Sequence, residues 1–237
     1  MIIIPDVHGR DFWREAVSKR EEGETVVFLG DYCDPYTENE GITQDDAFIE
    51  FCAILDYYDR NRDTTILLLG NHDLYYLDRS FRCCRHDDDY QRWNELFQRH
   101  RYQFRIAYET EIDNTQYLVS HAGVHKRWLD RLEDIVPKKP EATIADYLND
   151  LYENHWHAFR EEVAEYSYFR GFTYSPIGSC VWADVREWSE EENERIPGIF
   201  QIFGHSSCKE PMFGDDWAML DAHCAFRLDN SGTLSKL

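Results

Sequence analysis

The sequence predicts an α/β fold organised around a largely parallel sheet, on three observations. Short apolar runs rich in Ile, Val, Leu and Phe recur along the chain. Stretches with helical spacing fill several of the gaps between them, the pattern of βαβ units. Each apolar run also ends in a glycine-bearing turn that carries Asp, Asn or His. A hydrophobic content of 43% over 237 residues is enough for a real core, and 15% aromatic residues argue against disorder. With no repeat, linker or low-complexity break, a single domain over 1–237 is expected.

The expected strands are Ile2–Ile4, TVVFLG (25–30), TTILLLG (64–70), TQYLVS (115–120) and IFQIFG (199–204). Uninterrupted apolar runs of this length read as strands buried on both faces. A later stretch, WAMLDAHCAF (217–226), reads as a last strand. Residues 11–20 form a short charged helix. Residues 44–60 form a longer one, with Phe48, Phe51, Cys52, Leu55 and Tyr58 on one stripe and Thr43 with Asp46 as a capping box. The same logic extends a helix over 143–166, opened by Thr143 and Asp146, with Ile144, Tyr147, Leu148, Leu151 and Phe159 on its apolar side. Residues 78–105 are polar, aromatic and partly helical, and are expected to form a cap or insertion over the exit of the third strand. Tyr75, Tyr76, Phe81, Tyr90 and Trp93 there could stack a base or simply pack the excursion. Residues 187–198 read as a solvated acidic loop.

Charge narrows the function. Twenty-five Lys and Arg against 46 Asp and Glu give −21, a field that repels polyphosphate backbones. Without a basic stripe, nucleic acid is not expected as a partner. Seven cysteines, with no C-x-x-C pair, fit neither a zinc ribbon nor a disulfide framework. The four-residue apolar start lacks basic residues before it and does not read as a signal peptide, and no run approaches the ~20 apolar residues of a membrane helix. The expected setting is cytoplasmic, with no membrane partner.

The strand exits carry the chemistry. The first ends in DVHG (Asp6, His8), the second in GDYCD (Asp31, Asp34), the third in GNHD (Asn71, His72, Asp73), the fourth in SHAG (His121) and the fifth in GHSS (His205). Any one of these alone reads equally well as a turn or a capped helix start. Five in succession do not, because ligands of an open α/β sheet gather beyond the carboxyl ends of its strands. The set Asp6, His8, Asp31, Asn71, His121 and His205 offers oxygen and imidazole donors without thiolate, which suits Mn²⁺, Fe or Zn²⁺. Six ligands exceed an ordinary zinc site and suggest two ions about 3.5–4 Å apart sharing a carboxylate, holding a phosphoryl group between them.

These motifs, in this order, resemble the calcineurin-like metallophosphoesterase superfamily. GDYCD, LLLGNHD and SHAG are closest to its phosphoprotein phosphatase branch, and SHAGVHKRWL is similar to the corresponding block of symmetrical diadenosine tetraphosphatases. The resemblance implies a β-sandwich of two mixed sheets flanked by helices, with two divalent or trivalent metal ions at one edge. It implies that Asp6 and His8 bind the first metal, that Asp31 bridges both, and that Asn71, His121 and His205 bind the second. A bridging hydroxide would attack phosphorus in line while His72, oriented and charged by Asp34, protonates the leaving group. The implied activity is a dinuclear metal-dependent phosphohydrolase, acting as a phosphomonoesterase or in the manner of a Ser/Thr protein phosphatase. Diadenosine tetraphosphate or another nucleotide is the alternative substrate, and a catalytically silent metal-bound scaffold the alternative of another class. The partner is a phosphorylated peptide, nucleotide or small molecule.

The chain departs from the family pattern in places. The arginine that usually follows the Asp34 position to grip phosphate is Pro35, so another cation is required, with Arg10 the first choice and Arg79 and Arg186 behind it. Ser207 replaces the second His of a Gly-His-x-His block, and Asp73 stands where eukaryotic protein phosphatases carry Glu. His125, four residues past His121, could touch substrate or serve as a capping residue, and His223 near the last strand has no assigned role.

Overall fold

A computed structural model describes residues 1–81, 83–159, 178–189 and 195–237. The chain divides into two compact units, Met1–Arg105 with His223–Leu237, and Ile106–Ala222. Each is built on one mixed sheet flanked by helices.

The first unit holds six strands among the described residues, ordered β11-β10-β1-β2-β3-β4. They are β1 (Ile2–Ile4), β2 (Val26–Phe28), β3 (Thr65–Leu68), β4 (Phe104–Arg105), β10 (Phe226–Leu228) and β11 (Leu234–Lys236). The first four run parallel, with Ile3 opposite Val27 and Val27 opposite Ile66, so the exits of β1, β2 and β3 share one sheet edge. The last two return antiparallel, so the sheet is mixed, as the family resemblance implies. β1 and β2 are wholly buried, as their unbroken β-branched and aromatic composition requires.

Five helices accompany this sheet: α1 (Phe12–Ser18), α2 (Thr37–Glu40), α3 (Gln44–Arg60), α4 (Asn71–Leu77) and α5 (Tyr90–His100). α3 has the expected bounds, and its Thr43–Asp46 capping box is present. Its buried face, however, is Ala47, Phe51, Ile54 and Leu55, while Phe48, Cys52 and Tyr58 are half-buried. The reason is the turn at Gly9: a Cβ there would lie 2.7 Å from the Cβ of Ala47, so the helix presents its smallest side chain to that turn.

Of the aromatic residues of 78–105, Phe81, Trp93, Phe97 and Phe104 are core, Tyr90 is half-buried and Tyr102 is exposed. Phe51 stacks on Tyr32 at 4.8 Å and meets Phe97 at 4.8 Å and Trp93 at 5.8 Å, and Phe97 meets Phe104 at 5.6 Å. Trp93, Phe97 and Tyr76 are fully buried, so they pack the excursion rather than offering a stacking surface.

The second unit has strand order β5-β6-β7-β9-β8: β5 (Ala107–Ile112), β6 (Thr115–Ser120), β7 (Ile199–Phe203), β8 (Met212–Phe213) and β9 (Trp217–Met219). β6 and β7 are parallel, with Val119 opposite Ile202, so their exits again fall on one edge. β5 was not expected as a strand, because its pattern alternates with Glu and Thr; it pairs with β6 through the two-residue turn Asp113–Asn114, both at positive φ. The run 217–226 is interrupted at 220–225, so β9 and β10 are separate strands. The helices are α6 (Lys126–Ile135), α7 (Ile144–Asn154) and α8 (Val185–Ser189). α7 stops well short of residue 166: His155 leaves helical geometry at φ −140°, among weak helix formers, and a 3₁₀ turn follows at Trp156–Phe159. The rest of that expected helix, and residues 190–194 of the acidic loop, lie outside the described residues. Among the described residues no helix is long and apolar enough to cross a membrane.

Phe51 joins four aromatic neighbours at zero exposure. Phe51→Ala should therefore lower unfolding free energy by about 3–5 kcal/mol, read from urea denaturation, whereas Phe51→Leu should cost less than half as much.

Candidate metal centre

Three strand exits of the first unit meet at the shared edge. After β1 the chain places Asp6 and His8, both buried, and His8 sits at φ +45°. The His8 Nδ1 lies 2.8 Å from the carbonyl oxygen of Cys33 and donates to it. That contact fixes the tautomer and leaves Nε2 as the lone-pair nitrogen, 3.4 Å from Asp31 Oδ2, which is how ligating imidazoles are usually oriented. After β2 the chain turns at Gly30 (φ +108°), where a Cβ would fall 2.3 Å from the Gly70 nitrogen, so only glycine allows the two exits to approach. Asp31 follows at φ +52°, and its Oδ1 accepts from the His72 backbone N–H at 3.0 Å.

Asp73 joins these loops. Its carboxylate accepts from the backbone N–H groups of Asp31 (2.7 Å), Tyr32 (2.9 Å) and Gly70 (2.9 Å), and from Cys33 Sγ (3.3 Å). Burial drives its pKa up to about 7, opposed by those same donors. Asp31 is pushed well up too, first by burial and then by the charges of Asp6 and Asp73. A buried carboxylate crowded by carboxylates is a place where a cation lowers the energy. Ligand atoms of His8, Asp31 and His72 all lie within 4.8 Å of one another, a grouping that could hold a metal ion.

His72 opens α4 and pairs with Asp34: His72 Nδ1 donates to Asp34 Oδ2 at 2.7 Å. Asp34 Oδ1 accepts from Tyr76 Oη at 2.6 Å, and Oδ2 also accepts from the Arg85 backbone N–H at 3.0 Å. Burial raises the pKa of Asp34, but these partners, His72 foremost, bring it below the usual carboxylate value. Burial lowers that of His72, against the pull of Asp34. Cys83 Sγ completes the surroundings, 3.3 Å from His72 Nε2 and accepting from Asn71 Nδ2 at 3.1 Å; burial raises its thiol well above normal.

In the second unit, His121 follows β6 and His205 follows β7, with His121 Nε2 and His205 Nδ1 3.2 Å apart and the rings edge to face. His205 adopts φ +69°. Two imidazoles that turn nitrogens toward each other at this spacing suit a shared acceptor of lone pairs.

Among the other expected residues, Arg10 is buried and clamped by Glu40, with Nε and Nη2 each 2.7 Å from a carboxylate oxygen. It borders a cleft of ≈510 Å³ that His223 also lines. Arg79 pairs with Asp87 and Arg186 with Asp184. His125 is buried against Trp188, its ring 4.9 Å away, with burial lowering its pKa to about 4. Sequence reasoning named Tyr76 only as an aromatic of the excursion, gave Cys83 no part in the site and passed over Arg85, which has no motif of its own.

The model for calcineurin-like phosphoesterases matches residues 1–208. No curated protein matches the chain. In three dimensions it is similar to the cold-active protein-tyrosine phosphatase of a psychrophilic Shewanella species, at 17% identity and TM-score 0.56, covering all of this chain and 79% of that one. It is likewise similar to a protein serine/threonine phosphatase from Saccharomyces cerevisiae with similarity to human phosphatase PP5, at 15% identity and TM-score 0.56, covering 100% of this chain and 78% of the other. At these identities the likeness is one of fold.

Asp73→Asn would replace one accepting oxygen by an N–H₂ group that faces the donors. It should destabilise the protein by about 2–4 kcal/mol in urea unfolding; a loss below 0.5 kcal/mol would show that the carboxylate does not hold the loops.

Proposed function

Because the chain belongs to the calcineurin-like phosphoesterase family of hydrolases, we propose that it is a dinuclear metal-dependent phosphohydrolase acting on phosphomonoesters, in the manner of a protein phosphatase. Asp6 and His8 would hold one ion and Asn71, His121 and His205 the other, with Asp31 shared between them; Mn²⁺, Fe or Zn²⁺ fits this oxygen and imidazole set. Such ions supply a nucleophilic water at neutral pH and neutralise charge on the phosphoryl oxygens.

The observation that carries the reading is the His72–Asp34 pair, buried beside His8 and Asp31. Asp34 holds His72 Nδ1–H, so Nε2 is the nitrogen left to hand a proton to the departing oxygen. Tyr76 keeps Asp34 from turning away. A silent scaffold would have no use for this pair, which favours the enzyme. The names of the two fold relatives support a phosphorylated protein as substrate. Seven cysteines, none of them in a disulfide, support a reducing, cytoplasmic setting.

Chelation should abolish hydrolysis of an aryl phosphate, and Mn²⁺ should restore it. Asp31→Asn should lose metal and activity together. His72→Asn should lower kcat by roughly 10²–10⁴-fold with metal content unchanged; metal-loaded protein that turns over no monoester would end the proposal. In Asp34→Asn the charge that raises the His72 pKa is gone. The protonated acid is then lost sooner as pH rises, so the alkaline limb of the kcat profile should move to lower pH.

A further inference from the structure

We propose that Arg85 grips the substrate's phosphoryl oxygens, filling the place left empty by Pro35. The inference rests on the phosphohydrolase reading and adds the residue that recognises the phosphate.

Arg85 is docked onto the stretch Asp34–Pro35 that follows β2. Its backbone N–H donates to Asp34 Oδ2 at 3.0 Å, and its Nη1 donates to the Asp34 carbonyl oxygen at 2.7 Å. The next residue continues the contact, with His86 Nε2 3.2 Å from the carbonyl oxygen of Pro35. The guanidinium lies over the Tyr36 ring, 3.8 Å from its centroid, and Nη1 is 3.4 Å from His8 Nδ1. The Asp34 carbonyl and the Tyr36 ring hold this cation beside one expected metal ligand and beside the His72–Asp34 pair.

The other edge of this guanidinium is open. In Arg10, Arg14 and Arg227 the Nε and Nη2 donors are both taken by one glutamate, Glu40, Glu50 and Glu24 respectively. In Arg85 those two donors meet no partner among the described residues, and the residue is exposed although Asp34 and His8 beneath it are buried. A planar fork held from behind, with its paired donors turned outward, matches two oxygens of a phosphate. Arg10, for contrast, would have to leave Glu40 before it could bind an anion.

The test uses manganese-loaded protein and two readouts: KM and kcat on p-nitrophenyl phosphate, and calorimetric binding of inorganic phosphate. Arg85→Ala should raise KM and weaken phosphate binding by at least tenfold, lower kcat less, and leave manganese content unchanged. Arg85→Lys should recover part of the loss. Phosphate binding and KM within twofold of wild type in Arg85→Ala would overturn the proposal, as would loss of manganese, which would give Arg85 a structural role through Asp34. A wild type that binds phosphate through Arg85 but turns over nothing would instead refute the hydrolase reading and leave this one standing.

Discussion

The carboxylate of Asp73 is the constraint on which the first unit's site depends. Two strand exits turn sharply within a few ångströms of each other, and their amide N–H groups would otherwise point into a dry interior. One buried anion collects three of them, together with a thiol. The arrangement fixes where Asp31 begins and where α4 starts, and therefore where His72 points. Asp73 thereby positions both the expected ligand Asp31 and the proposed proton donor His72.

Electrostatics then works against itself in a useful way. Asp6, Asp31, Asp34 and Asp73 are all buried, so the unit carries carboxylates that burial disfavours. Asp34 is relieved by His72, Tyr76 and the Arg85 amide and stays charged. Asp31 accepts from the His72 amide, yet burial and the charges of Asp6 and Asp73 push it well above its normal range. The difference sorts the two aspartates by role: the satisfied one orients an imidazole, and the crowded one calls for a cation. The same contrast divides the arginines, since Arg10, Arg14 and Arg227 are each neutralised by a glutamate and Arg85 is held by a carbonyl and a ring.

Much of this was legible in the sequence. Parallel strands buried on both faces read as plain apolar runs, so β1, β2, β3, β6 and β7 stand out, and α3 is marked by its capping box. The chemistry-bearing residues follow those strands directly, which is why Asp6, His8, Asp31, Asn71 and His72 could be named before any coordinates. β5 escaped because a strand with one polar face looks like a loop when its partner is unknown. The α3 face was misjudged because an alanine that matters for its smallness adds little to an apolar stripe. Asp73 and Arg85 escaped for a different reason: a tether and an open cation are defined by what surrounds them in space, and a run of Asp and Arg gives no sign of it.

Four of the expected functional residues, His8, Asp31, Asp34 and His205, adopt left-handed backbone angles of +45°, +52°, +56° and +69°. Each costs the fold on the order of 1–3 kcal/mol that glycine, or in part asparagine, would return. Directed evolution of this chain for heat resistance alone would be drawn toward those positions and would deliver a hardier, inert protein. A campaign for a robust enzyme has to hold them constant and seek its gains elsewhere.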